Sequence, residues 1–185
     1  MNETGNQRDI VMCGVINDEM ARHVIVEIQR KCYTRETKLR LFIDSSGGSM
    51  PIASALAHIL LSAFPNLTTY NLSSVKSSAM YLYLCGSKRI CYPEGSFMMH
   101  PAAVECHMSQ MDASALRERV QSLEMDTESA VRFYQSRTGI ESKCWREWFS
   151  RQTLMSAQEA LEKGIVTDII DNIAPIRQQT CMIYG

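Results

Sequence analysis

Three short stretches of the chain hold residue types able to carry out acyl transfer: Lys76-Ser77-Ser78-Ala79, Ser45-Ser46-Gly47-Gly48-Ser49 and Met98-Met99-His100-Pro101. In the first, an apolar strand ends on two serines where a run of helix-formers begins, which can present a hydroxyl beside the free N–H groups of a helix start. Capping of that helix is the commoner use of such a pair. In the second, adjacent glycines between a buried strand and a helix permit a tight turn and leave an N–H uncovered by any Cβ, as an oxyanion hole requires; an ordinary strand-to-helix turn has the same composition. The G-x-x-x-x-G-K-[ST] spacing of a phosphate loop is absent. In the third, a histidine closes an apolar strand, where a general base and a satisfied structural histidine both fit. Lys76 allows a serine-lysine pair and equally reads as a solvated charge.

The elements that must position these groups alternate between strand and helix. Asp9 to Gly14, Leu39 to Asp44 and Leu67 to Leu72 read as strands. Asn17 or Asp18 caps a helix with the stripe Met20, Val24, Ile28 and Cys32, and Pro51 opens a helix from Ile52 to Phe64 that is apolar nearly all round. Met80 to Cys85 is apolar on every face. Lys88 to Cys91 and Ser96 to His100 read as short strands about the turn Pro93-Glu94-Gly95. A long helix follows with the stripe Ala113, Leu116, Val120, Leu123, Thr127, Ala130 and Tyr134, stopping at Thr138-Gly139 with Arg137 in its last turn. Helices near Ser142 to Phe149 and Ser156 to Lys163 and a strand from Ile165 to Ile169 complete a single α/β domain with right-handed crossovers.

Composition narrows the function classes. A net charge of −1 over 185 residues gives no reason to expect nucleic acid or an anionic membrane as partner. No apolar run reaches a membrane span and no leader-like segment stands at the start, so a cytoplasmic location is expected. The seven cysteines (Cys13, Cys32, Cys85, Cys91, Cys106, Cys144, Cys181) form no C-x-x-C pair and mostly sit in apolar segments, as reduced packed thiols would. His23, His58, His100 and His107 are scattered, so neither a metal nor a cofactor is expected.

The order and spacing of the three stretches resemble the Clp protease proteolytic subunit, ClpP, whose members carry S-P-G-G-S, A-S-M-G and M-I-H-Q-P at matching intervals; Gly86 matches a further glycine. Met155-Ser156-Ala157-Gln158-Glu159-Ala160 with Gly164-Ile165-Val166 is similar to the family's L-S-A-x-E-A and G-L-V-D segment. The resemblance spans Asp9 to Asp171. It implies a ClpP/crotonase-like fold of stacked strand-strand-helix units with a protruding handle helix: a short polar tail at 1–8, a head core at 9–110, the handle at 111–138, completion of the head at 139–171 and a C-terminal tail at 172–185. It implies a serine endopeptidase with Ser77 as nucleophile, His100 as base and the N–H groups of Gly48 and Ser78 as oxyanion hole. The implied partners are a peptide or unfolded protein substrate and further copies of the chain in a heptameric ring or double ring, with an AAA+ unfoldase as the family's docking partner.

Departures from the family pattern qualify this. The catalytic aspartate position falls on Gln152, which can accept the Nδ1–H of His100 but brings no negative charge; Glu147 and Glu105 are the substitutes by composition. Ser46 stands for the family's proline and Ala79 for a glycine. The short polar start lacks the segment whose loops help dock the unfoldase, which argues against that coupling. The alternative is therefore a weakly active or inactive ClpP-like structural or assembly subunit. A crotonase-like enolate enzyme would share the oxyanion hole without needing a serine and a histidine.

Overall fold

The computed structural model describes residues 7–30, 37–103, 112–172, 176 and 180–185. Cys32, Glu105, Cys106 and His107 lie outside the described residues. Among the described residues eight strands form one mixed sheet, β1 (Gln7–Ile16), β2 (Lys38–Gly48), β3 (Leu67–Lys76), β4 (Lys88–Cys91), β5 (Ser96–Met98), β6 (Leu154–Ser156), β7 (Asp168–Ile169) and β8 (Cys181–Tyr184). The main path runs β6-β5-β3-β2-β1-β8, while β4 and β7 branch from β3. The helices are α1 (Asp18–Arg30), α2 (Met50–Ala63), α3 (Ala79–Tyr83), α4 (Ala113–Thr138), α5 (Ser142–Ser150) and α6 (Ala157–Glu162).

The central strands are apolar on both faces, which is why their sequences read as runs rather than as alternation. Ile10, Met12, Leu41 and Ile43 belong to the main core with α1, α2 and α3, and Val11, Phe42 and Tyr70 form a smaller cluster on the reverse face. Asn17 caps α1, its Oδ1 accepting from the Met20 amide at 2.9 Å, and Ser49 caps α2 by accepting from Ile52. Ser156 and Glu159 of the S-A-Q-E motif cap α6 reciprocally. The Ser156 amide, donating to the Glu159 carboxylate, holds that carboxyl below its usual range.

Strand β3 is longer than Leu67 to Leu72 because it serves two neighbours. Thr68 to Asn71 pair with β4, and Ser74 to Lys76 pair with β5, both in parallel. The two short strands about the Pro93-Glu94-Gly95 turn are therefore not a hairpin; the turn moves the chain from one half of β3 to the other. The last residues, expected as a tail, form β8, in which Cys181 to Tyr184 lie parallel to Ile10 to Cys13 and Ile183 is buried.

Among the described residues, helix α4 is anchored mainly through its later half. Ala130, Val131 and Tyr134 are buried, Tyr134 packing among Tyr81, Trp145 and Phe149, and Arg137 donates to the carbonyls of Leu84 and Cys85 that end α3. The earlier half of its apolar stripe is left uncovered by the described residues: Leu116 and Val120 are 49% and 55% exposed. Across the core, the buried Arg89 guanidinium donates to the carbonyls of Ile165, Gly86 and Gly164 at 2.7, 3.2 and 3.2 Å, tying the turn after α3 to the turn after α6. Arg89→Ala is expected to lower unfolding free energy by about 3 kcal/mol, since it removes charge-assisted bonds and orphans carbonyls. A urea titration checks this as a lower midpoint at unchanged slope.

Candidate active site

Strand pairing brings the three stretches together. Parallel pairing of Ser45 with Val75 places the end of β2, Gly47-Gly48, beside the end of β3 at Ser77. Parallel pairing of Lys76 with Met98, continued by the Ser77 amide donating to the Met98 carbonyl at 2.7 Å, places β5 and the following His100 on the other side. All three strands end at the same edge, where open α/β sheets bind ligands. A cavity of about 420 Å³ opens there, lined by Gly48, Ser77 and His100 and, from α4, by Arg119, Leu123 and Asp126. The α4 wall is held in place by Thr127, whose hydroxyl accepts from the Ala102 amide at 3.0 Å and donates to the Leu123 carbonyl.

Ser77 sits in a strained turn. Its φ of 54° lies in the left-handed region, unusual for a residue with a Cβ. The Met98 bond and the start of α3 hold it there, with the Met80 amide donating to the Ser77 carbonyl at 3.2 Å. Gly47 packs directly on it: at φ +97°, a Cβ added to Gly47 would stand 2.6 Å from Ser77 Cβ. Gly48, at φ +149°, leaves no room for a Cβ against the Ile16 carbonyl. Positions 47 and 48, at the end of β2, are thus available only to glycines.

Ser78 is fully buried, and its hydroxyl donates to the Gly48 carbonyl at 3.1 Å. This bond links the turn after β2 to the start of α3. Ser45 is a second anchor: its hydroxyl donates to the Gly14 carbonyl at 2.6 Å and accepts from the Gly47 amide at 3.1 Å. Neither side-chain role is visible in the sequence, where these serines look like any other turn residues.

His100 is half-buried, and its Nδ1 lies 2.7 Å from the Pro101 carbonyl. A carbonyl only accepts, so Nδ1 donates, and in the neutral ring the lone pair a general base needs is then on Nε2. No hydrogen bond joins Ser77 Oγ to His100 among the described residues. Gln152 approaches the site from the far side. Antiparallel pairing of Met98 with Leu154, extended by the Met99 amide donating to the Thr153 carbonyl, sets Gln152 opposite His100. Its backbone turns out at φ 51° and its side chain is exposed, so the Pro101 carbonyl, not Gln152, meets Nδ1. Glu147 is engaged by Arg151 at 3.0 Å. Lys76 is half-buried and does not line the cavity.

Among the described residues no group of three or more His, Cys, Asp or Glu is placed to hold a metal ion, and no helix is long and apolar enough to cross a membrane.

The model of the family described as Clp protease matches residues 1–173. The ATP-dependent Clp protease proteolytic subunit 3 of Rhizobium meliloti is 24% identical over 172 residues, covering 91% of this chain and 86% of that protein. Subunit 2 of Mycolicibacterium paratuberculosis is 29% identical over 177 residues, covering 92% of this chain and 86% of its own length. The solved structure of a point mutant of ClpP1 from Listeria monocytogenes superposes with a TM-score of 0.77 at 22% identity, covering 89% of this chain and 92% of that one, and shares the fold.

Proposed function

Because the chain belongs to the Clp protease family, we propose that it is a serine endopeptidase that hydrolyses peptides or unfolded chains through an acyl-enzyme on Ser77. The observation that carries this reading is the cavity lined by Ser77, His100 and Gly48 at the shared edge of three parallel strands. Ser77 Oγ attacks the peptide carbonyl as His100 Nε2 takes its proton. The developing oxyanion meets the N–H groups of Gly48 and Ser78, and the tetrahedral intermediate collapses as Nε2 returns the proton to the leaving amine. Water, deprotonated by the same nitrogen, then releases the acid and frees Ser77. The Ser77–His100 hydrogen bond forms as substrate fills the cavity.

In this scheme the Pro101 carbonyl orients His100, and among the described residues no carboxylate is bonded to its ring. Gln152→Asp, opposite His100 and at a φ that aspartate tolerates better than glutamine, is expected to raise kcat about tenfold. Turnover of a fluorogenic peptide checks this; a kcat equal to the parent's assigns orientation to Pro101 alone. The exposed Gln152 side chain is also what favours the second reading, a weakly active structural subunit.

The apolar half of α4 that the described residues leave uncovered, with Leu116 and Val120 exposed, suits docking of further copies of the chain into a ring or double ring. The free thiols of Cys85 and Cys91 suit work in the reducing cytoplasm. Incubation of the purified protein with an unfolded substrate and sequencing of the products tests the function. New internal termini are expected, and intact substrate after prolonged incubation contradicts the peptidase reading.

A further inference from the structure

The space beside Ser77 does not end at the first cavity. A second cavity of about 290 Å³ shares Met50, Pro51 and Asp126 with it, so the two adjoin in a groove between the first turn of α2 and the middle of α4. Asp126 stands where the two cavities meet. It is half-buried, and its carboxylate has no hydrogen bond or ion pair with any described residue. A carboxylate that faces an open groove without a partner is free to meet a cation that enters it.

The described groups around it do not supply that cation. Burial, reinforced by Asp126 itself, pushes the Tyr81 hydroxyl up to about 12, so the neighbouring phenol is neutral. His58 is occupied through Nδ1 with the Ser54 carbonyl at 2.7 Å, and Arg132 donates to Ser129 at 3.1 Å. Arg119 is exposed and lies two turns earlier on α4, about 10.5 Å along the axis. It lines the same cavity but makes no ion pair with Asp126.

On the acyl-transfer reading of Ser77, we propose that Asp126 is a specificity-determining residue, selecting a lysine or arginine on the substrate residue that supplies the attacked carbonyl. That side chain branches from the Cα bonded to the carbon that Ser77 attacks and enters the nearest groove. Met50, Pro51 and Leu123 give its methylene stem apolar walls, and Asp126 receives its charged head. An acidic side chain is rejected by the same carboxylate.

The test reads binding apart from chemistry. Ser77→Ala protein is titrated calorimetrically with two blocked peptides that differ only in a terminal lysine or its uncharged isostere norleucine. The lysine peptide is expected to bind about fivefold more tightly, with the ratio shrinking in high salt. The preference should fall to unity on adding Asp126→Asn and persist with Asp126→Glu. In the active enzyme, Asp126→Asn should raise KM for the lysine substrate alone. Equal or tighter norleucine binding, no detectable lysine-peptide binding at millimolar concentration, or a lysine preference that survives Asp126→Asn overturns the proposal. A Ser77 that fails to acylate would instead overturn the peptidase reading while leaving the binding ratio measurable.

Discussion

Ser77→Ala and His100→Ala are each expected to lower kcat for peptide hydrolysis by about 10³-fold, and the double variant to be no worse than either alone. The two side chains act as one unit: without Nε2 the hydroxyl keeps its proton, and without the hydroxyl the base has nothing to activate. Independent contributions would multiply instead. Stability should be nearly unchanged, because both residues are half-buried and alanine at position 77 meets the same backbone strain that serine already bears. Steady-state kinetics of the three variants, with thermal melts alongside, separates this from a general loss of structure. Multiplicative losses, or a Ser77→Ala protein with parental turnover, contradict the assignment.

Gly47→Ala is expected to be almost as damaging by a different route. The new methyl would stand 2.6 Å from Ser77 Cβ, 2.9 Å from the Lys76 carbonyl and 3.2 Å from Ser77 Oγ, at a φ of +97°. Left-handed backbone costs alanine about 1–2 kcal/mol. The clash is relieved by moving Ser77, and a shift of about 1 Å at a nucleophile costs about 10² in rate. A fall of about 10² in kcat is therefore expected, with a loss of about 2–3 kcal/mol in unfolding free energy from strain and displacement together. Ser46→Ala, one residue earlier and exposed, is the control and should change neither. The two variants are compared by kcat and by urea unfolding; a Gly47→Ala enzyme with parental kcat would contradict the close approach.

Much of this site is legible in the chain because strand pairing converts sequence intervals into neighbours. Once β2, β3 and β5 are recognised as adjacent parallel strands, Gly48, Ser77 and His100 fall at one edge by register alone. The long helix is equally readable from its apolar stripe and its stop at Gly139, while the capping of its start by Asp112 comes from the structure. What the sequence hides is tertiary. The tandem use of β3 by β4 and β5 has no local signature, since both segments pair with residues some twenty positions back. The β8 segment reads as a tail because only its pairing with β1 makes it a strand. The partner of His100 Nδ1 is a backbone carbonyl, which any residue type could supply, so no side-chain pattern could announce Pro101. Asp126 reads as one more polar position on an amphipathic helix; its place between two cavities depends on how α4 lies across the sheet edge.

The most direct measurement is the covalent state of Ser77 after the folded protein meets a fluorophosphonate or β-lactone acylating probe, read by intact mass and peptide mapping. The account predicts a single adduct on Ser77, formed far more slowly in His100→Ala and absent from the denatured chain. A folded protein that stays unmodified, or an adduct mapping to any other serine, would contradict it.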